Sequence, residues 1–159
     1  MVYVSGYYSD DRFKLNSDTT YSYNNANASI QWKHIFNNKF YGVFSGIYSA
    51  YSYEIFSDRN EVNSFDMNYS IDNLGGKADF SWFPNARHKI DFGIASTYYG
   101  LRPGSLTPRG SSSLIGEVTL ENEQGLESAI YIGDKYDLTD KLSIYVGLRY
   151  SMFQYLGPK

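Results

Sequence analysis

The sequence predicts an all-β protein built from long antiparallel strands, and three observations support this fold class. Apolar and polar residues alternate with a period of two along most of the 159 residues, as they do in a strand whose two faces meet different surroundings. No convincing run of apolar residues occurs at helical spacing. Segments rich in Asn, Ser, Asp, Gly and Pro, which favour turns, separate the alternating stretches.

About seven strands are predicted in chain order. Their ranges are 2–13, 27–36, 40–56, 65–83, 88–101, 115–136 and 141–155. Five of them carry a row of mainly apolar residues on one side, and in order these rows are Ala28, Ile30, Trp32, His34 and Phe36; Ala78, Phe80 and Trp82; Ile90, Phe92 and Ile94; Leu126, Ser128, Ile130 and Ile132; and Leu142, Ile144, Val146, Leu148, Tyr150 and Met152. The intervening residues are mostly small, polar or charged, so each of these strands has one apolar and one polar face.

The connections between the strands are of two kinds. Short turns are predicted at 37–39, 84–87 and 137–140, and longer polar links at 16–27, 57–64 and 102–113. Short turns at one end of a sheet and longer loops at the other are typical of outer-membrane β-barrels. Most of the strands also exceed the roughly five or six residues common in soluble proteins. We therefore predict an antiparallel transmembrane β-barrel segment of the bacterial outer membrane, with short periplasmic turns and longer extracellular loops.

The composition fits a wall between lipid and water. The chain contains 17 Tyr, and aromatic residues make up 18% of it. A Tyr ring can be buried at a membrane interface while its hydroxyl stays hydrated. Aromatic residues cluster at two levels, as interfacial girdles do: Phe36, Tyr41, Trp82, Phe83 and Tyr136 beside the short turns, and Tyr8, Tyr51, Tyr53, Tyr98 and Tyr99 toward the longer links. No stretch approaches the roughly 20 apolar residues of a membrane-spanning helix, which excludes a helical membrane protein.

Two hairpins in the second half of the chain carry recognisable motifs. The first reads Lys-Ala-Asp-Phe-Ser-Trp-Phe-Pro-Asn at 77–85, followed by His-Lys-Ile-Asp-Phe-Gly at 88–93. The second reads Glu-Ser-Ala-Ile-Tyr-Ile-Gly-Asp at 127–134, then Leu-Thr-Asp-Lys-Leu at 138–142 and Gly-Leu-Arg-Tyr-Ser at 147–151. In this order and at hairpin spacing, they resemble the barrel of the TonB-dependent outer-membrane receptors of Bacteroidetes-type bacteria. The resemblance covers the chain from about Ser29 onward.

The resemblance implies a barrel of about 22 strands, filled by a plug domain, that imports a scarce nutrient with energy passed from the inner membrane. Relatives of this architecture handle glycans, peptides, siderophores and cobalamin. Residues 1–159 would form a partial receptor β-barrel domain surrounded by outer-membrane lipid. The plug and the TonB-binding segment would lie in other parts of the parent chain, and a surface lipoprotein caps the barrel in some importers. Because Met1–Tyr8 contains no export signal, we expect a fragment of a longer chain.

Charged residues on the polar side of the predicted strands are the main candidates for ligand contact, because side chains that point into a barrel meet water, plug or substrate. By alternation these are Lys77, Asp79, Asp91, Glu127 and Arg149. Loops carry binding more often than walls do, which adds Tyr21 and Tyr23 in the first long link and Tyr98, Tyr99 and Arg102 leading into the third. Charged rows on neighbouring strands can instead pair across the wall or with the plug, which is a structural role.

Catalytic chemistry is not expected. The chain has no G-x-S-x-G, no H-E-x-x-H and no phosphate-binding glycine motif. With two histidines and no cysteine it has too few zinc ligands unless carboxylates supply most of them, so neither a metal nor a cofactor is predicted. His34 and His88 lie near predicted turns, where we expect interfacial positions. The net charge of −3 argues against a nucleic-acid partner.

Two other classes of protein share these patterns. A porin-like barrel without TonB coupling shows the same alternation, and only an adjoining plug sequence distinguishes it from a receptor. A soluble β-sandwich adhesin or carbohydrate-binding module would bury its apolar faces between two sheets. The discriminating property is the direction of the apolar face, because a face turned toward lipid makes the purified protein dependent on detergent.

Overall fold

One antiparallel β-sheet makes up the structure. The computed structural model describes residues 1–16, 18–58 and 60–158. Its strands are β1 (Val2–Asn16), β2 (Thr19–Asn37), β3 (Phe40–Ser57), β4 (Phe65–Asn85), β5 (His88–Pro108), β6 (Val118–Thr119), β7 (Glu123–Thr139) and β8 (Leu142–Pro158). The order in the sheet is β1-β2-β3-β4-β5-β7-β8, with the short β6 paired to β5. In the described residues β1 and β8 are edges, so the sheet is open and not closed into a barrel.

Three short turns lie at one end of the sheet, which we call the lower end. They occupy 38–39, 86–87 and 140–141, and each overlaps a predicted short turn. Because β4 continues to Asn85 and β7 to Thr139, the second and third turns begin two and three residues later than predicted. In two of them an Asn that ends the strand accepts a hydrogen bond from the backbone N–H two residues later, from Lys39 to Asn37 at 2.8 Å and from Arg87 to Asn85 at 2.9 Å. Asn favours such turns because its short side chain reaches this N–H.

The first predicted long link, 16–27, is wrong. The segment Thr19–Asn27 belongs to β2 and pairs with β1 on one side and with β3 on the other. Its Ser, Asn and Thr residues are typical of loops, and no apolar row marks it as a strand. Two flanking strands nevertheless satisfy its backbone hydrogen bonds, which the sequence of the segment alone does not reveal.

The third predicted long link, 102–113, is displaced. β5 continues to Pro108, and β7 begins at Glu123 rather than at the predicted residue 115. The Arg-Pro-Gly-Ser sequence at 102–105, inside this predicted link, forms an irregularity opposite β4 instead, where Gly104 has a φ of 119°. Beyond it, β6 takes the place beside β5 that a longer β7 would have taken.

The register assigns alternate residues to two faces. Face A carries the row Val2, Trp32, Phe44, Ala78, Ile94, Ile130 and Tyr150, whose members are direct partners across the seven long strands. In the lower half of the sheet, face A is mainly apolar over nine successive residues of β3, Phe40–Tyr48, and over comparable lengths of the other strands. We call this region the apolar band. Above it, face A turns polar, and one row reads Asp10, Asn24, Ser52, Ser70 and Arg102.

No second layer covers the sheet within the described residues. Among them, Ala129 is the one buried apolar side chain. In the apolar band Ile94 is 59% exposed and Leu148 is 78% exposed. The described part of the chain also contains no helix that is long and apolar enough to cross a membrane. The band therefore lacks the core that a sheet of a soluble protein normally acquires by packing.

Candidate functional site

A charged network crosses the lower half of face B, the face opposite the apolar band. Asp79, Gly93, Tyr131 and Arg149 form one row of direct partners on β4, β5, β7 and β8. The Asp79 carboxylate accepts a hydrogen bond from the Tyr131 hydroxyl, and its other oxygen lies 3.0 Å from Lys77 Nζ. The Arg149 guanidinium lies 5.1 Å from the centre of the Tyr131 ring. Tyr131, on β7, thus joins the charged groups of β4 to the guanidinium of β8.

Gly93 makes this network sterically possible. The Tyr131 side chain crosses β5 to reach Asp79, and a Cβ at position 93 would lie 2.6 Å from the Tyr131 hydroxyl oxygen. The same Cβ would lie 2.5 Å from the Ala78 carbonyl oxygen. A glycine inside a strand often marks such a close approach. The glycine and the tyrosine are therefore structurally coupled across two neighbouring strands.

Two further polar clusters lie on face B. Asp91 accepts a hydrogen bond of 2.6 Å from the Ser81 hydroxyl and lies 2.9 Å from Lys89 Nζ. Nearer the upper end, the Tyr99 hydroxyl donates to the Glu127 carboxylate at 3.0 Å. The Ser81–Asp91 and Tyr99–Glu127 hydrogen bonds link neighbouring strands and stabilise their pairing.

Eight of the ten residues predicted to contact ligand lie on β4, β5, β7 and β8, and they do not form one site. Lys77, Asp79, Asp91, Glu127 and Arg149 share face B, as alternation indicated, and Tyr99 joins them. Tyr98 and Arg102 lie on face A: the Tyr98 hydroxyl donates to Gln124 at 2.6 Å, and Arg102 lies 2.8 Å from Asp72. Arg102 is part of β5 rather than of a loop. Each of the eight side chains already has a partner on the protein, and ligand binding by them stays a prediction.

The two histidines lie at the lower end of face A, where interfacial positions were predicted. His88 Nδ1 lies 2.7 Å from an Asp134 carboxylate oxygen, and the ring stacks on Tyr136 with centroids 4.4 Å apart. His34 packs between the rings of Trp32 and Phe36, at 5.3 and 4.6 Å. A polar contact and a stacked ring hold His88, and two aromatic rings hold His34. Both histidines lie at the end of the sheet that carries the short turns.

An aromatic platform lies on the upper part of face B and was not predicted as a unit. It consists of Phe13, Tyr21, Tyr23, Tyr51, Tyr53 and Tyr69. Neighbouring ring centroids are 5.1 Å apart for Phe13 and Tyr21, and 5.2 Å apart for Tyr53 and Tyr69. Tyr23 bridges these two pairs, at 5.7 Å from Phe13 and 6.1 Å from Tyr53. The platform therefore runs across β1, β2, β3 and β4.

Sequence reasoning named four members of the platform for other reasons. Tyr21 and Tyr23 were predicted in a loop, and they lie on β2. Tyr51 and Tyr53 were predicted in an interfacial girdle with Tyr8 and Tyr98, but the platform residues lie on the opposite face from these two. The signal that could have found the platform is the Tyr-x-Tyr spacing of 21–23 and 51–53, since residues two apart in a strand share a face.

Two of the platform tyrosines, Tyr51 and Tyr53, have raised pKa values. Burial raises the pKa of the Tyr53 hydroxyl above its ordinary value. Burial, together with a hydrogen bond to Tyr69, also raises the pKa of Tyr51. A neutral phenol both donates and accepts a hydrogen bond, so the rims of these rings can bind polar groups while the ring faces bind apolar ones.

The two long connections of the upper end bind each other. Arg109, which follows β5, lies 3.4 Å from Asp58 and 3.3 Å from Asp66, and its guanidinium lies 4.9 Å from the centre of the Phe56 ring. The Leu114 N–H also donates to the Val62 carbonyl at 2.8 Å. Because these contacts join the segments that follow β3 and β5, on either side of β4, they order the upper rim of the sheet.

Neither a metal centre in the described residues nor a related protein indicates what the charged network and the aromatic platform do. The described residues contain no group of three or more His, Cys, Asp and Glu side chains placed to hold a metal ion. Comparison of the chain with protein-family models, with curated proteins and with solved structures found no match. The candidate sites are therefore defined by geometry: a braced charged network on lower face B, and an aromatic platform above it.

Proposed function

We propose that this sheet is part of the wall of an outer-membrane TonB-dependent receptor that imports a scarce nutrient. The observation that carries the proposal is the apolar band on face A. Its depth of nine residues on β3 matches the roughly 9–11 residues of a tilted membrane-crossing strand. Face A at this level would meet acyl chains, while face B, with its ion pairs, would meet water or a plug domain.

The edges of the sheet support the same proposal. β1 and β8 are 15 and 17 residues long and have a neighbour on one side alone among the described residues. Soluble proteins shorten, charge or cover such edges because exposed backbone groups recruit other strands. Val146 and Leu148 on β8 are instead 66% and 78% exposed. Further strands on both sides would satisfy these edges, as closure of a barrel does.

The transport function itself rests on the resemblance of the two hairpin motifs to the receptor family. The motif at 77–93 spans the lower end of β4 and β5, and that at 127–151 spans the lower end of β7 and β8. The plug, the coupling to TonB and a capping lipoprotein belong to the same proposal. Six of the eight predicted ligand-binding residues on β4, β5, β7 and β8 would then face the lumen, mainly as braces of its wall.

Cell fractionation and transport assays test the proposal. We expect to find the protein in the outer-membrane fraction and to extract it only with detergent. On electrophoresis it should migrate faster before heating than after heating. Growth on the limiting nutrient should require both the protein and TonB. A protein that stays soluble without detergent would contradict the proposal and favour the β-sandwich. Transport that continues without TonB would instead favour a porin-like barrel.

Two neighbouring residues provide a matched pair of variants. Ile30 lies in the apolar band and Gln31 lies on face B, and both are exposed in the sheet. Ile30→Arg should reduce the assembled protein in the outer membrane sharply, because an Arg facing the bilayer midplane costs about 2–4 kcal/mol. Gln31→Arg should assemble normally, since its side chain points to the polar face. Equal assembly of the two variants would contradict a lipid-facing band.

A further inference from the structure

We propose that the aromatic platform, Phe13, Tyr21, Tyr23, Tyr51, Tyr53 and Tyr69, is a binding surface for neutral carbohydrate. Sugar rings would stack on the aromatic faces, and their hydroxyl groups would bond to the tyrosine hydroxyls and neighbouring polar side chains. The inference rests on the proposed receptor function for the location of this surface at the outer mouth of the lumen. The choice of ligand rests on the platform itself.

The distribution of side chains at this level indicates that face B is the one built for contact. Above the apolar band, face A carries polar groups such as Asn24 and Ser52, which suit water. Face B carries the aromatic rings at the same height, in positions that lipid contact does not explain. Phe13 is exposed, and the five tyrosines are half-buried against one another. A ligand that covers the accessible part of these contiguous rings releases water from them, as at other binding surfaces.

The shape of the platform favours a chain of rings as its ligand. It crosses four adjacent strands, which are about 4.8 Å apart, so it extends over roughly 15 Å. Its rings form a row, from Phe13 through Tyr23 and Tyr53 to Tyr69, rather than the walls of a closed cage. A quaternary ammonium ligand needs such a cage, whereas an oligosaccharide can lie along a row.

The charges around the platform favour a neutral ligand. On face B, five rows of β1 to β4 contain or adjoin the platform, and among their described residues Asp11 is the one charged side chain. The nearest basic residues of β1, Arg12 and Lys14, lie on face A. An anionic ligand would require basic groups on the same face. Tyrosine hydroxyls and the amide of Asn25, which shares this face, offer hydrogen bonds without charge.

Calorimetric titration of the protein, purified from outer membranes in detergent, tests the inference. The probes are soluble neutral oligosaccharides that differ in sugar and linkage. We expect at least one to bind, and Tyr53→Ala to weaken its binding roughly tenfold because one stacking ring is removed. Tyr53→Phe keeps the ring and should stay within about threefold of the unchanged protein. Tyr3→Ala, on the lower part of face B, is the matched control and should have no effect.

The outcomes separate this inference from the receptor proposal. Absence of oligosaccharide binding, or binding that Tyr53→Ala and Tyr23→Ala leave unchanged, overturns the inference even if the protein is a detergent-dependent outer-membrane barrel. Preferential binding of aryl or quaternary ammonium compounds also overturns it. Ring-dependent sugar binding by a protein that needs no detergent supports the platform and rejects its location in a receptor lumen.

Discussion

The lower and upper halves of the same strands place their apolar side chains on opposite faces. In β3, Phe44 and Tyr48 lie on face A, while Tyr51 and Tyr53 lie on face B. In β2 the same change separates Trp32 from Tyr23. The pairing of β2 with β3 is regular between these levels, so no bulge turns the strands over. The apolar residues themselves move from even to odd positions.

The change of apolar face is the pattern expected of one sheet in two environments, as the proposed receptor wall requires. A strand in uniform surroundings keeps its apolar residues on one face, because a shift of one position would expose all of them. Here the exchange occurs at one height in adjacent strands, near the upper limit of the apolar band. We infer that face A loses its apolar surroundings at that height and that face B acquires a contact there.

The largest expected difference in stability is between an Arg placed in the apolar band and an Arg placed on upper face A. In the proposed receptor wall, Ile94 lies near the bilayer midplane, where an Arg costs about 2–4 kcal/mol, so Ile94→Arg should destabilise the assembled protein by that amount. Asn68→Arg, on upper face A and directly opposite Glu54, should change stability by less than about 0.5 kcal/mol. Denaturant unfolding in lipid vesicles measures both. Equal effects would mean that face A meets one environment over its whole height.

A smaller effect is expected from two glycines of the lower half. Gly93→Ala should cost about 1–3 kcal/mol, since the new methyl group overlaps Tyr131 and the Ala78 carbonyl. Gly76→Ala is the control, because a Cβ at Gly76 meets no atom within 4 Å. The same unfolding assay measures both variants. If Gly93→Ala proves as stable as Gly76→Ala, Tyr131 does not cross β5 to brace the charged network.

The smallest effect concerns the lower turns. A hydrogen bond from Ser143, at 2.5 Å, and then the neighbouring Lys135 lower the pKa of Asp137 from its ordinary value of 3.8. A carboxyl group whose pKa is lower in the folded than in the unfolded state stabilises the fold at pH values above its ordinary pKa. This stabilisation is lost as the pH falls through the folded-state pKa. Asp137→Asn should therefore lower the melting temperature slightly at pH 7 and hardly at pH 2. Ser143→Ala should reproduce this loss, and a pH-independent change in either variant would contradict it.

Local patterns predicted the lower half well. The apolar rows of β4, β5 and β8 are in the predicted places, and the three short turns begin within three residues of theirs. Each depends on interactions within a few residues: alternation assigns a side chain to a face, and an Asn such as Asn37 bonds to the backbone two residues on. The upper part of β2 was missed because its polar residues lack such a pattern.

The sequence by itself determined that this protein is built of two-faced strands and tight lower turns, because both follow from short-range periodicity. Tertiary structure alone decided which side chains meet. Asp79 and Tyr131 are 52 positions apart, and the platform draws its rings from four strands. Contacts between residues so distant in sequence depend on strand order and register, which backbone hydrogen bonds between the strands establish. No local pattern in one strand specifies the partner that its neighbour will present.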